Sequence, residues 1–485
     1  MDDNELHSIA TKSVKGAFAL VSRSFLIQIL GIASSLILTV VLDPESFGIY
    51  FVVTSIIVFF NYFQDIGLAA SLIQKKEEPT LSDLRTVFTV QQLLVLFLIV
   101  PTLFFSSNIA TFYGLDSSGH ILLIVLLVSF LFTSLRTIPT IMLERKLDYG
   151  KLVIPQILEN ITYNVTLVTC ALLGLGVMSF TYAVLLRSIV GLVSTYIIQP
   201  WSIGISFDKK SFKSLVSFGI PFQTNSILAL FKDDFLTIFL GKILPIAQLG
   251  YVGFAQRVAY LPLRLVMDNI IKITFPSFAR LQDDKSALKV AIEKSIFLIA
   301  LAIFPVAAGI IAYSPHIIEL FPKYQKWEPA VLSIMFFSLG SVVSSISTPL
   351  TNFLNAIGKV KVTLYFMIFW TAMIWVTTIY LVTTMGYNGV SIASFGVSLT
   401  SIGVFLVARR YVEFSVIRTT YKQLIGAIFM LAFSYLTGPL VSSLFHVLIF
   451  GILSCLVYAL VMFLIAKQEL LKTIRFVLTA IRSKK

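Results

Sequence analysis

Apolar residues in this chain gather into long uninterrupted runs separated by short polar breaks, and the runs set the first expectation. Fourteen fall at about 16–41, 47–73, 84–105, 120–143, 152–173, 177–199 and 212–240, then 246–275, 291–313, 329–356, 362–384, 387–408, 424–441 and 445–466. Each is close to the roughly 20 residues that an α-helix needs to cross a bilayer core about 30 Å thick. The breaks have simple causes. Asp43-Pro44-Glu45, Lys75-Lys76-Glu77-Glu78-Pro79 and Gln282-Asp283-Asp284-Lys285 cannot lie in hydrocarbon.

Composition narrows the class. Of 485 residues, 57% are hydrophobic and 13% charged, against about 45–50% and about 25% in soluble domains. A water-soluble enzyme is excluded, and so is disorder, because the apolar residues come in blocks. Cys170 and Cys455 lie far apart in apolar runs and form no metal or redox motif. His7, His120, His316 and His446 are scattered. No cofactor or metal is expected, and no removable signal peptide, since no small-residue cleavage site follows the first run.

The formal charge of +13 suggests an anionic partner until its placement is read. Twenty-seven Lys and Arg fall in the termini and every second loop, and three (Lys242, Lys323, Lys326) in the alternate loops. That is the positive-inside pattern, with both termini cytoplasmic. The charge is topological, and nucleic acid is not an expected partner.

A faint repeat relates the halves. Leu42-Asp43-Pro44-Glu45-Ser46-Phe47-Gly48-Ile49-Tyr50 is matched by Leu244-Pro245-Ile246-Ala247-Gln248-Leu249-Gly250-Tyr251, 202 positions on. Spans one to six and seven to twelve then form parallel repeats about an axis along the membrane normal. The expected fold is an all-α membrane protein of about fourteen transmembrane helices, two six-helix lobes related by a pseudo-twofold, plus two C-terminal helices. Residues 1–205 form the N-terminal lobe and 206–412 the C-terminal lobe; 413–485 hold the last two spans and a basic tail.

Charges inside the runs mark candidate sites. A basic residue at a helix centre costs roughly 2.5–3.5 kcal/mol on insertion scales. Arg136 and Lys272 lie near cytoplasmic ends and are expected to snorkel, with Arg23 balanced between snorkelling and a cavity. Arg187 and Arg257 are near mid-span and are expected to face water. Arg257, Tyr260, Arg264, Asp268 and Lys272 recur at three- and four-residue spacing, on one helical face. Arg264 and Asp268 are spaced to neutralise each other, whereas Arg257 has no acidic residue within one turn, which suits an anionic ligand. The fifth span offers Glu159, Asn160, Tyr163 and Asn164, and the seventh Gln223, Asn225, Lys232, Asp233 and Asp234. Asp65 and Glu159 read first as counter-ions to the basic residues, and second as ion-coupling groups.

Several segments resemble one family. Leu42-x-Pro44-x-x-Phe47-Gly48-x-Tyr50 and Asp65-x-Gly67-Leu68-x-x-x-Leu72-x-Gln74 are similar to the N-terminal signature of Wzx-type polysaccharide transporters. Leu143-Glu144-Arg145-Lys146-Leu147-Asp148-Tyr149, Gln256-Arg257-Val258 and Phe275-Pro276-x-Phe278-Ala279-Arg280-Leu281-Gln282-Asp283-Asp284 resemble the colanic and teichuronic acid exporter branch. The resemblance covers nearly the whole chain in order. It implies the superfamily that also holds multidrug antiporters and peptidoglycan-precursor flippases, with a central cavity between two lobes.

The resemblance implies a non-enzymatic flippase that moves a polyprenyl-diphosphate-linked oligosaccharide across the cytoplasmic membrane by alternating access. Arg23 and Arg257, on the first and eighth helices, would then meet the diphosphate with Arg264 and Arg187, while Asn160, Asn164, Gln223, Asn225 and Tyr260 would meet sugar. Asp65, Glu159, Asp233, Asp234 and Lys232 are the candidates for ion coupling or charge balance. Expected partners are the lipid-linked oligosaccharide, membrane lipids, and polysaccharide polymerase and assembly proteins around a monomer. A multidrug antiporter on the same fold is the alternative, and a membrane-embedded polymerase or glycosyltransferase is a more distant one. Seven intramembrane basic residues against about five acidic ones disfavour the antiporter's cationic cargo.

Overall fold

The computed structural model describes residues 3–64, 67–75 and 77–482, with the side chains of 3–21, 214, 217–229, 233, 268–269, 272–273, 444 and 471–482 outside the description. Every regular element among the described residues is helical. The chain forms two compact units, Met1–Gly250 and Tyr251–Lys485.

The first unit begins with α1 (Asp3–Val41), α2 (Pro44–Asn61) and the short α3 (Leu68–Gln74). Pro44 opens α2 at a first-turn position where its missing N–H has no consequence. Gly67 precedes α3 with φ +78, a left-handed conformation that turns the chain so that Leu68 and Leu72 enter the core fully. Next come α4 (Leu81–Phe104), α5 (Ser106–Tyr113), α6 (Ser117–Leu135), α7 (Thr137–Arg145), α8 (Tyr149–Leu172), α9 (Met178–Ile198), α10 (Lys209–Ile243) and the start of α11 (Ile246–Ala259). Thr80 and Asp83 cap α4 reciprocally, while Asp116, Asp148 and Asp208 accept backbone N–H bonds at the starts of α6, α8 and α10. Arg145 donates to the carbonyls of Leu72, Ile73, Lys75 and Glu77, tying the end of α7 to the loop after α3.

The second unit holds the rest of α11, then α12 (Leu261–Arg280), α13 (Lys285–Leu320), α14 (Val331–Ala356), α15 (Val360–Met385), α16 (Asn388–Leu399), α17 (Ile402–Arg409), α18 (Val416–Thr437) and α19 (Leu444–Arg482). Ser333, Ser338, Ser341 and Ser345 on α14 are fully buried, the small polar side chains that let membrane helices approach closely. The last two helices dock on α13. The Tyr313 hydroxyl donates to the Phe450 carbonyl at 3.0 Å and pairs with Ser454, which meets Ser434.

Among the described residues, eleven helical segments are long and apolar enough to cross a membrane. The expected fifth, seventh and eighth spans coincide with α8, α10 and the α11–α12 pair, which fall outside that set. They carry most of the candidate polar residues; the side chains of α10 and α12 are described only in part.

Candidate functional site

In the first unit the polar residues of α8 share one face. Ile154, Leu158, Ile161, Val165 and Leu172 form its exposed apolar ladder, and Gln156, Glu159, Asn160 and Tyr163 lie on the opposite side by helical period. Glu159 is 5% exposed and accepts a 2.6 Å bond from Nη1 of Arg136, the residue at the junction of α6 and α7. Arg136 was expected to snorkel. Instead it turns inward, because the Glu159 carboxylate offers a charged partner where the membrane interior offers none.

α9 is shaped to admit this pair. A Cβ on Gly191 would lie 2.5 Å from Arg136 Nη1 and 2.7 Å from Glu159 Oε2, so glycine leaves the room that the two groups occupy. Arg187 on α9 approaches the other carboxylate oxygen at 3.9 Å with its side chain 41% exposed. Its guanidinium lies 5.5 Å from the centre of the Tyr163 ring, and the Tyr163 hydroxyl donates to that of Tyr50 at 3.0 Å. Tyr50 stacks on Phe180. Beside the pair is a cavity of about 280 Å³ bordered by Thr137, Glu144, Gln156 and Thr195 among others.

Arg23 donates to the side-chain oxygen of Gln156, and among the described residues its buried Nε has no hydrogen-bond partner. Asn160 and Asn164 each donate one turn back, to the carbonyls of Gln156 and Asn160. Thus Arg23, Gln156, Glu159, Arg136 and Arg187 join four helices of this unit around one polar stripe. Lys232 and Asp234 on α10 both have partners. Asp65 lies outside the described residues, as do the side chains of Gln223, Asn225 and Asp233.

In the second unit Arg257 lies in the last turn of α11. Tyr260 separates α11 from α12, and Pro262 follows with no N–H to offer the Val258 carbonyl. Bonds from Tyr260 N to Gln256 O (3.0 Å) and from Arg264 N to Tyr260 O (3.1 Å) keep the helical path through the interruption. Arg257 and Arg264 are both exposed. Among the described residues neither has a carboxylate within 4 Å; the Asp268 side chain lies outside the description. Tyr260 is fixed by the edge of Phe337 at 5.6 Å and by Ser394 at 3.3 Å.

The two units thus contain different arginines. Arg136 is neutralised by a carboxylate, whereas among the described residues Arg257 and Arg264 have no carboxylate within 4 Å. Sequence spacing shows Arg257 without an acidic residue within one turn of its own helix. It had no means of pairing Arg136 with Glu159, 23 residues away on another helix, or of identifying Gly191 as the space for them.

Comparison with known proteins follows the same lines. The pattern of a family described as polysaccharide biosynthesis proteins matches residues 37–332. The lipopolysaccharide biosynthesis protein WzxC of Escherichia coli is 24% identical over 75% of this chain and 73% of its own length. The succinoglycan biosynthesis transport protein ExoT of Rhizobium meliloti is 22% identical over 70% and 67%. The teichuronic acid biosynthesis protein TuaB of Bacillus subtilis is 22% identical over 64% of each. The fold is similar to that of the lipid II flippase MurJ in an inward closed conformation, with a TM-score of 0.76 over 94% of this chain and 100% of that one at 17% identity. It is also similar to an inward-facing multidrug resistance MATE transporter, with a TM-score of 0.63 over 83% and 99% at 18% identity.

Proposed function

The chain belongs to the polysaccharide biosynthesis protein family, and from that membership we propose that it is a flippase for a polyprenyl-diphosphate-linked oligosaccharide in the cytoplasmic membrane. It is a transporter rather than an enzyme, and alternating access carries the cargo across. Both termini are cytoplasmic, as the basic loops indicate. The chain works as a monomer that hands its product to a polymerase and assembly proteins.

Arg257 carries the reading. It is an arginine in an apolar helix with no carboxylate within 4 Å among the described residues, and an intramembrane cation of that kind marks a substrate path. A diphosphate needs opposing charge in a low-dielectric setting, and a guanidinium grips phosphate oxygens bidentately. Arg257 binds the diphosphate, with Arg264 seven residues on along the same helical path. Arg23 and Arg187 are further phosphate contacts in their own unit, and Asn160, Asn164, Gln223, Asn225 and Tyr260 supply sugar contacts. Glu159 serves as counter-ion to Arg136. Cationic-drug antiport, the reading that the MATE-like fold equally allows, fits open arginines poorly.

Arg257→Ala tests this. Membrane abundance should be kept, because the substitution removes a desolvated charge worth roughly 2.5–3.5 kcal/mol of insertion cost. Export of the glycan should fall sharply, and Arg257→Lys should recover part of it. Normal export by an abundant Arg257→Ala protein would exclude the assignment.

A further inference from the structure

Residues 201–207, between α9 and α10, carry no regular structure and lie along the first turns of α4. Trp201 meets Phe88 edge to face at 5.1 Å. The Ser206 N–H donates to Thr89 Oγ1 at 3.1 Å, and the Asp208 N–H to Thr86 Oγ1 at 3.0 Å. A Cβ on Gly204 would stand 2.5 Å from Arg85 Nε and 2.8 Å from its Cζ, so glycine lets the backbone lie on the guanidinium. With these contacts on one side of the segment, Ile203, Ile205 and Phe207 are left 56%, 86% and 56% exposed.

The direction of that exposed side follows from α4. At about 100° per residue, Arg85, Thr86 and Thr89 fall in the same arc of about 100° as Leu93, Leu96, Val100 and Phe104. Those four are exposed apolar residues of a membrane-crossing helix, and such a stripe faces lipid. The segment covers the stretch where that stripe would otherwise present two hydroxyls and a charge, and it replaces them with Ile203, Ile205 and Phe207.

Basic residues stand beside this apolar edge. Lys209 and Lys210 open α10 behind the Asp208 cap, both exposed, with no acidic residue in the first turn. Cations are unfavourable at the positive end of a helix, so the two lysines gain nothing from their own helix, whereas an anionic surface suits them. Arg85 Nε is buried and, among the described residues, has no hydrogen-bond partner, and no carboxylate lies within 4 Å of the guanidinium.

We propose that residues 201–207 anchor the protein in the membrane surface on the side of the basic loops. Ile203, Ile205 and Phe207 enter the acyl boundary, and Arg85, Lys209 and Lys210 bind the phosphates of anionic phospholipids. Continuity with the lipid-facing stripe of α4 and charge complementarity select the bilayer as the occupant. The inference does not depend on the cargo, so it stands or falls apart from the flippase reading.

Fluorescence quenching tests it in the full-length protein with Cys170→Ser and Cys455→Ser, in vesicles of equimolar phosphatidylcholine and phosphatidylglycerol. An environment-sensitive label is attached at Ile205→Cys or, as an exposed reference on the same side, at Glu78→Cys. The label at 205 should be quenched by bromines on the acyl chains and shielded from iodide, and the label at 78 should show the reverse. Equal iodide quenching at both sites overturns the anchor. So does shielding of 205 from both quenchers, which a second copy of the chain or another protein surface would give. Moving the bromines from phosphatidylcholine to phosphatidylglycerol should raise quenching at 205 severalfold, since each basic residue near an anionic surface contributes about a fivefold preference. Arg85→Gln, and separately Lys209→Gln with Lys210→Gln, should each bring the two lipids closer to parity. Equal quenching by the two lipids before these substitutions overturns the role of anionic lipid, and a preference unchanged by either variant overturns these residues as its phosphate contacts.

Discussion

Gly48 and Gly250 occupy reciprocal positions, each pressed against the helix start that carries the other. A Cβ on Gly48 would overlap the Ile246 carbonyl, and a Cβ on Gly250 would overlap the Pro44 carbonyl. Both relations are one contact seen twice, because 246 stands to 44 as 250 stands to 48. All four residues belong to the first unit. The motif repeated in the sequence thus has a physical cause: two backbones meet at a distance that only hydrogen side chains permit.

Enlarging either glycine should drive the helix starts apart. Gly48→Ala and Gly250→Ala should each lower the melting temperature of the detergent-purified protein, by an overpacking cost of about 1–3 kcal/mol. Since both changes break one contact, the double variant should lose clearly less than the sum of the singles. Strict additivity would show that the two positions do not meet.

The periodicity of apolar runs made the helices legible because hydrocarbon thickness imposes a length on each of them. The repeat was legible because proline and glycine were needed for backbone geometry, which leaves a trace in residue type. The lack of an acidic residue within one turn of Arg257 is a property of sequence alone, and so could be read there. The Arg136–Glu159 pair was not legible, because tertiary packing alone joins α6–α7 to α8, and Arg136 near a helix end looks the same whether it snorkels or turns inward. Gly191 was silent for a similar reason: a glycine inside an apolar run gives no sign of what fills the space beside it.

The sidedness proposed from the charge count is open to direct labelling. In a background with Cys170→Ser and Cys455→Ser, cysteines at Ser117 and Lys323 should react with an impermeant thiol reagent added to whole cells. Those at Glu78 and Lys359 should react only after lysis. The four positions are exposed, so a reversed pattern would invert the orientation rather than report burial.

Two helix caps outside the spans make stability sensitive to acid. Hydrogen bonds from the Ser211 hydroxyl and backbone N–H hold the Asp208 carboxyl below its ordinary value, opposed by nearby Asp83. The Ser286 hydroxyl and Ala287 N–H do the same for Asp284. A depressed folded value contributes stability that is fully present above the unfolded pKa of about 3.9 and is lost as pH falls through the folded value. Asp208→Asn with Asp284→Asn keeps an oxygen at each cap but removes the titration. Melting temperature between pH 6 and 3, read in detergent, should fall less steeply for this double variant than for the wild type; parallel curves would remove these caps from the acid response.

The arginines of the first unit should respond to substitution with the sign opposite to that of Arg257. Arg136→Ala leaves Glu159 5% exposed, with Arg187 at 3.9 Å as the remaining cation of the pair network. Stranding a buried carboxylate is strongly destabilising, by about 3–5 kcal/mol where such pairs have been broken. Membrane abundance and melting temperature should therefore drop, before any question of transport arises. Glu159→Gln in the Arg136→Ala background removes the stranded charge and should restore most of the loss, which no disturbance of substrate contacts would explain. Arg187→Ala should disturb stability far less, because its side chain is 41% exposed and its contact with Glu159 is long. Gly191→Ala should behave like a weaker Arg136→Ala, since a methyl there displaces the guanidinium from the carboxylate. If Arg136→Ala proves abundant and stable while Glu159→Gln does nothing further, the pair is not structural, and Glu159 becomes a candidate for ion coupling instead.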